Sequence, residues 1–385
     1  MPNDDPNDSW HYPKSKGGKL WVNTTRNIYH PVGFKKGYNF PLFLICAGIM
    51  MGFTASKIMY LNFDGIFLKV SPAPWLLGRN AILHNGFSAN LDKFSQQKTI
   101  PGDATHYLSG YRRIGMMLHL ATVIPAGFLA CFQFVPVIRY KLMIFHRLNG
   151  YLVIILFLVA NSGVYMVASM TAGGAPATQA LTGMLAAATT ISIVLAYINI
   201  KRLQIDQHRN WMLRTWFYAA SIITLRFIMM LANMYITDHP EEGFYSVQTC
   251  ALIWNQYVLY GAPDGPGNPT PQIYPQCLNA TSAVVVAVPA SIDGPGPENI
   301  TATFHLTFGM SGWIAFTIHA IAVELYLALT PAETERLRQV SYERQLKAGL
   351  RNPGRAGLTV DRLGDAPAWR RLNNNDAVEM DQDHH

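Results

Sequence analysis

The sequence predicts an all-α, polytopic membrane protein with about six transmembrane helices, four of them forming a core. Three observations predict it. Half of the 385 residues are hydrophobic and only 14% are charged, against ~25% in soluble domains. Apolar runs of about twenty residues, the length that crosses a bilayer, alternate with polar stretches. The basic residues collect at the ends of those runs, so the net charge of +7 reports topology rather than nucleic-acid binding.

The first 38 residues are polar, so the reading expects no signal peptide and takes the first span as an uncleaved anchor. The predicted spans are about Phe40–Tyr60, Ile114–Ile138, Met143–Met170, Gln179–Ile200, Trp211–Ile236 and Phe304–Thr330. Lys14, Lys16, Lys19, Arg26, Lys35 and Lys36 precede the first span, and nine more basic residues follow the last. Arg139, Lys141, Arg147, Lys201, Arg202 and Arg209 sit in the second and fourth connections. The third and fifth connections have no Lys or Arg. The positive-inside rule then places both termini in the cytoplasm, in a plasma or secretory-pathway membrane. The basic connection at 61–113 lies outside in this topology, because long segments translocate largely regardless of charge.

The fifth connection, 237–303, carries two sequons, at Asn279 and Asn299, and two cysteines, Cys250 and Cys277, suited to pairing in an oxidising compartment. Cys46 and Cys131 fall inside spans, as packing thiols. The connection is rich in Pro and Gly and reads as an irregular, mobile insertion. After the sixth span, Thr330, Pro331 and Glu333 have the spacing of an N-cap, a first-turn proline and a capping-box acid. The basic helix that follows suits either the inner leaflet or solvent. Beyond Asn352 the tail reads as disordered.

Polar residues recur inside the spans at helical spacing. His119, Thr122, Ala126, Ala130 and Gln133 share one face. So do His146, Gly150, Phe157 and Asn161, and His305, Gly309, Gly312, Phe316 and His319. Histidine is a common haem-iron ligand, and two on facing helices at one depth would hold haem b. An outer His119–His305 pair and an inner pair drawn from His146, His208 and His319 are the candidates. The inner set is poorly matched, since His319 sits ~10 Å deeper than His146. The competing reading is helix packing with polar glue.

The run from Asp206 to Phe227 places Arg226 ~20 Å into the hydrocarbon, where a charge normally faces a bundle interior or cavity. Glu324 is the other deep charge and a stretched partner for it. Helix carbonyls, an anion or a haem propionate are the remaining choices.

The stretches LHLATVIPAGFLACFQFVPVIR, FHRLNGYLVIILFLVANSG and DQHRNWMLRTWFYAASIITLRF together resemble the multipass proteins grouped as domain of unknown function 2306. The features that carry the resemblance are His119 with Gln133, then His146, Arg147 and Gly150. His208, Arg209, Trp211, Met212 and Arg214 continue it, and Arg226 completes it. It covers about residues 112–236 and implies a four-helix core without an established activity. Its terminal histidines and arginines are similar in pattern to two-haem b-type cytochromes. Two classes follow: a histidine-ligated haem electron-transfer protein, or a small-solute transporter or receptor-like scaffold with a polar site around Arg226. The partners expected are the lipid bilayer and an unidentified small molecule. No P-loop, dinucleotide fingerprint, nucleophile elbow or zinc-protease helix occurs in the sequence, so it assigns no enzymatic class.

Overall fold

The structure is a computed structural model and describes residues 31–33, 39–68, 99–278 and 284–371. In chain order the helices and strands are α1 (Asn39–Lys57), α2 (Pro101–His106), α3 (Gly110–Gln133), α4 (Pro136–Lys141), α5 (Met143–Val167), α6 (Pro176–Lys201), α7 (Ile205–Asp238) and β1 (Tyr245–Thr249). There follow α8 (Cys250–Leu259), α9 (Thr270–Ile273), β2 (Val285–Pro289), α10 (Pro297–Ala328), α11 (Pro331–Lys347) and α12 (Val360–Leu363). Six of these helices are long and apolar enough to cross a membrane: α1 with its 3₁₀ extension, α3, α5, α6, α7 and α10. Prolines set many of the starts. Pro101, Pro136, Pro176, Pro297 and Pro331 each occupy the first turn of their helix, where the missing N–H costs nothing.

The chain forms two compact units, one containing Met1–Lys69 and Ile114–Gly163, the other Val70–Arg113 and Val164–His385. In the first unit, α1 and α5 each run antiparallel to α3. Thr54 of α1 packs on Gly127, and Ala47 accepts a weak bond from the Cys131 thiol. On the other side, a Cβ at Gly163 of α5 would stand 2.5 Å from the Gly115 carbonyl oxygen. Only glycine permits that approach of two backbones.

In the second unit, α6, α7 and α10 form the bundle. A polar ladder seams α7 to α10. The Thr307 hydroxyl donates to Asn233 at 2.6 Å, Thr224 and His319 meet at 2.7 Å, and Arg214 clasps Glu324 at 2.6 and 2.8 Å. Between these rungs Leu225, Met229, Phe308 and Ala315 pack as an apolar core with Leu181 of α6. Gly309 and Gly312 let α10 seat against Thr178 and Leu181. Polar contacts between membrane helices contribute about 0.6 kcal/mol each on average, so the ladder fixes register more than it supplies stability.

Each end of this unit departs from the sequence reading. The described part of 237–303, a stretch expected to be irregular and mobile, folds into a cap. β1 and β2 pair antiparallel, with Tyr245 opposite Pro289 and Thr249 opposite Val285. Cys250 and Cys277 are joined, with Cα atoms 5.5 Å apart. Ile236, Ile253, Tyr257, Val286, Val288 and Ala302 give the cap its own core. The sixth spanning helix begins at Pro297, seven residues before the expected Phe304, because its first turns are buried by the cap. The Pro/Gly composition correctly marks turns but says nothing of the disulfide and strands that close around them.

The tail is ordered well past Asn352, also against expectation. Residues 352–371 fold back onto α11 and the α6–α7 turn. Gln345 accepts from Gly354 N–H and donates to Arg202 O and Gln204 Oε1. Gln204 Oε1 also accepts from Gly357 N–H, and Asn199 Oδ1 accepts from Leu358 N–H. Ser341 accepts from Ile205 N–H and donates to Asp206. Asp361 binds Arg338, Arg355 and the Trp369 N–H. These buried amides hold a segment whose apolar content alone would not fold it. The α11 start falls where expected, but the capping box does not form. Thr330 bonds back to Tyr326 O, and Glu333 pairs with Arg336.

Candidate functional site

Four of the candidate histidines lie on the expected spans, while His208 lies on α7 because that helix begins at Ile205, before the expected Trp211; each of the five has a protein partner. His119 Nδ1 meets Ala160 O at 3.2 Å across α3 and α5. His208 Nδ1 meets Ala196 O at 3.0 Å across α6 and α7. A carbonyl only accepts, so both rings carry a proton on Nδ1, and the neutral ring then has its lone pair on Nε2. His146 is held differently. With the Gln133 amide in the orientation that satisfies its neighbours, its nitrogen donates to His146 Nδ1 at 2.8 Å and its oxygen accepts from Asn149 at 2.6 Å. That puts the His146 proton on Nε2. Gln133 and His146 thus clasp the end of α3 to the start of α5.

His305 and His319 are engaged through Nε2, by Asp103 at 3.1 Å and by Thr224 at 2.7 Å. The other face of the His305 ring is closed as well. A Cβ at Gly173 would stand 2.4 Å from His305 Nδ1, and Gly173 has φ +78° in the turn between α5 and α6. Within neither unit do two of the five meet at one level. His119 and His146 occupy opposite ends of the α3–α5 pair. In the second unit His305 lies ~21 Å along α10 from His319, and His208 ~24 Å along α7 from His319's partner Thr224. Among the described residues no group of three or more His, Cys, Asp or Glu is arranged to hold a metal.

Arg226 does not enter the bundle of its unit. It is exposed, beside Phe227, while Ser221, Leu225, Met229 and Asn233 point inward. One residue is a rotation of ~100°, enough to carry it off the buried stripe. Glu324 is bound by Arg214, which also lies over the Trp211 ring at 4.6 Å.

The polar groups that do converge are at the cap end, and most were not singled out by sequence. Asp103 of α2 is buried between His305 and the Ala172 N–H, which it accepts at 2.8 Å. One turn away a chain of bonds crosses four elements. Gly102 N–H donates to the Thr301 hydroxyl, Thr301 to Gln256, Gln256 to Gln248, and Gln248 to the Glu298 carbonyl. The Glu298 carboxyl is buried near the start of α10. It accepts from Tyr257 at 3.2 Å and Tyr274 at 3.5 Å through Oε1, while Oε2 has no hydrogen-bond partner. Burial first, and the adjacent Glu298 carboxyl second, push both tyrosine hydroxyls well above the usual tyrosine range, so they remain donors. Lone Gln, Thr and Asp residues in a Pro/Gly-rich stretch have no periodicity to betray them. The one sequence cue was Pro101-Gly102-Asp103, an acid in a proline-started turn.

Asn299 sits in this cluster and not on the surface. It is 3% exposed. Its Nδ2 donates to Pro289 O and its Oδ1 accepts from Gly296 N–H. A glycan on that nitrogen would have no path to solvent, so the sequon is used as a helix cap. Asn279 lies outside the described residues.

Six long apolar helices, paired antiparallel around small residues and polar rungs, define an all-α polytopic membrane protein. Residues 116–259, somewhat more than a third of the chain, match the family described as Predicted membrane protein (DUF2306). The match takes in α3 to α7 and continues through β1 and α8, so it reaches into the cap, past the expected end at residue 236. No curated protein and no solved structure matches the chain.

Proposed function

We propose that this is a receptor-like membrane protein, with the cap as its recognition end on the extracytoplasmic face. The observation that carries this reading is where the polar side chains are spent. Along the second unit's bundle, His208, Arg214, Thr224, Asn233, His319 and Glu324 are all engaged in helix-to-helix bonds. The cap, by contrast, is a separately cored fold with a disulfide, the cross-link of an oxidising compartment. Its lack of Lys and Arg agrees with that side, and the basic, folded tail agrees with a cytoplasmic position at the opposite end of the bundle. An epitope inserted after Gly267, in an exposed cap turn, is expected to bind antibody on intact cells. Labelling that requires permeabilisation would sink the reading.

A second reading rests on His119 and His208. Fixing Nδ1–H on a carbonyl while Nε2 keeps its lone pair is how proteins orient a ligating imidazole. The histidines present fit one axial ligand in each unit. His305, whose Nε2 is taken by Asp103 and whose Nδ1 faces Gly173, does not fit, and neither does His146 with its proton on Nε2. Haem bound there would supply one-electron transfer. Purified protein from haem-replete cells would then show a Soret band that His119→Ala or His208→Ala shifts or removes, and a featureless spectrum rules the reading out.

A further inference from the structure

We infer that the outward face of the two-stranded β1–β2 sheet docks an extended, cationic segment of a partner protein. The inference rests on the cap being the recognition end and names the class of ligand it takes. The inner face of the sheet is closed, with Gln248, Val286 and Val288 buried. The outer face is an apolar row. Tyr245 is 57% exposed, Val247 69% and Val285 54%. The register sets Pro289 beside Tyr245 and Ala287 beside Val247, and both are exposed. Scattered exposed apolar residues are ordinary, but a contiguous row on one sheet face marks an interaction surface. Among the described residues the sheet has only these two strands.

Charge selects the occupant. Residues 237–303 contain Asp238, Glu241, Glu242, Asp264, Asp293 and Glu298 and no Lys or Arg. Asp238, Glu241 and Glu242 lead into β1, so these three exposed acids gather at one end of the apolar row, with Glu242 accepting from the Tyr235 hydroxyl at 2.7 Å. A second cap would bring like charges together, and anionic lipid headgroups would be repelled. An extended segment with alternating apolar side chains and Lys or Arg toward one end matches both features. The apolar side chains cover Val247 and Val285, and the basic ones meet the acidic rim.

The test uses full-length protein in nanodiscs and a fluorescent octapeptide of alternating valine and lysine, read by anisotropy. Saturable binding is expected. Val247→Asp should weaken it by about tenfold even though it adds an acid, and Glu241→Gln with Glu242→Gln should weaken it and flatten its salt dependence. A retained disulfide on a non-reducing gel shows that each variant cap is folded. Several outcomes overturn the inference: no saturable binding, equal or tighter binding by Val247→Asp, or binding only after residues 70–98 are cut away. A dimer that Val247→Asp dissociates does so too. Nanodiscs expose both faces, so these failures are independent of the epitope experiment, which alone decides which side the cap is on.

Discussion

Removing the Asp103 carboxylate tests how segment 99–107 is held to the cap end of the second unit. Asp103 is 5% exposed and accepts two bonds, from the Ala172 N–H at 2.8 Å and from His305 Nε2 at 3.1 Å. Ala172 is fully buried, in a backbone turn with φ 44°. Asp103→Ala therefore strands two buried donors, at ~1–3 kcal/mol each, or ~2–5 kcal/mol after partial relaxation. Asp103→Asn keeps one acceptor oxygen and should lose about half as much. The neighbouring Gly102–Thr301 bond remains in both variants, so the segment should open locally while the bundle stays intact. Hydrogen exchange of the amides at 102–107 reads this directly. Asp103→Ala should speed it by between ~30-fold and several thousand-fold at ~1.4 kcal/mol per decade, with Asp103→Asn between it and wild type. Equal protection in all three proteins would show that the carboxylate does not hold the segment.

The other predictions concern the two ends of the molecule. Cys250→Ser with Cys277→Ser opens a link across 27 residues and should cost the cap about 3–4 kcal/mol, seen as a lower first transition in thermal unfolding. An unchanged transition would mean that the apolar cap core suffices. Gln345→Ala strands Gly354 N–H, Arg202 O and Gln204, and should cost ~1–3 kcal/mol. Trypsin should then cut after Arg351 and Arg355 at least tenfold faster, and resistance equal to wild type would refute the clasp. Asp361 gives the tail a pH dependence. Burial acts to raise its carboxyl, but the Trp369 N–H and Arg338 outweigh it and hold it down, from 3.8 to about 2. A depressed acid stabilises the fold above its unfolded value, so this contribution is full above pH ~4 and is lost as pH falls toward 2. It amounts to ~1–2 kcal/mol once solvent screening is allowed for. Asp361→Asn should abolish the acid-induced exposure of residues 352–371 to pepsin.

Much of the fold was legible because a bilayer leaves few choices. A helix must satisfy its own backbone bonds in hydrocarbon, so length and hydropathy suffice to place six of them. Small and polar residues at three- and four-residue steps marked faces that do pack. Ala126 and Ala130 are buried on α3, Phe157 and Asn161 on α5, and Gly309 and Gly312 on α10. The seven-residue extension of α10 and the cap strands were hidden, because polar Glu298, Asn299 and Thr301 are buried by partners far away in sequence. A hydropathy profile scores such residues as solvent-exposed.

The sequence by itself determined that this chain crosses a membrane, which residues share a helical face, and that the terminal helix motifs belong to a recognisable core. Only the tertiary structure decided what those residues face. It turned Arg226 away from the bundle and gave Glu324 to Arg214. It fixed His119 and His208 on helix carbonyls and made Asn299 a cap. It also anchored the tail on Asp206, the first residue of the motif that looked like a membrane boundary alone. The physical reason is that depth follows from rise along one helix, which is local. The partner of a polar side chain depends on which neighbour packs against it and at what register, and that is set by contacts distant in sequence.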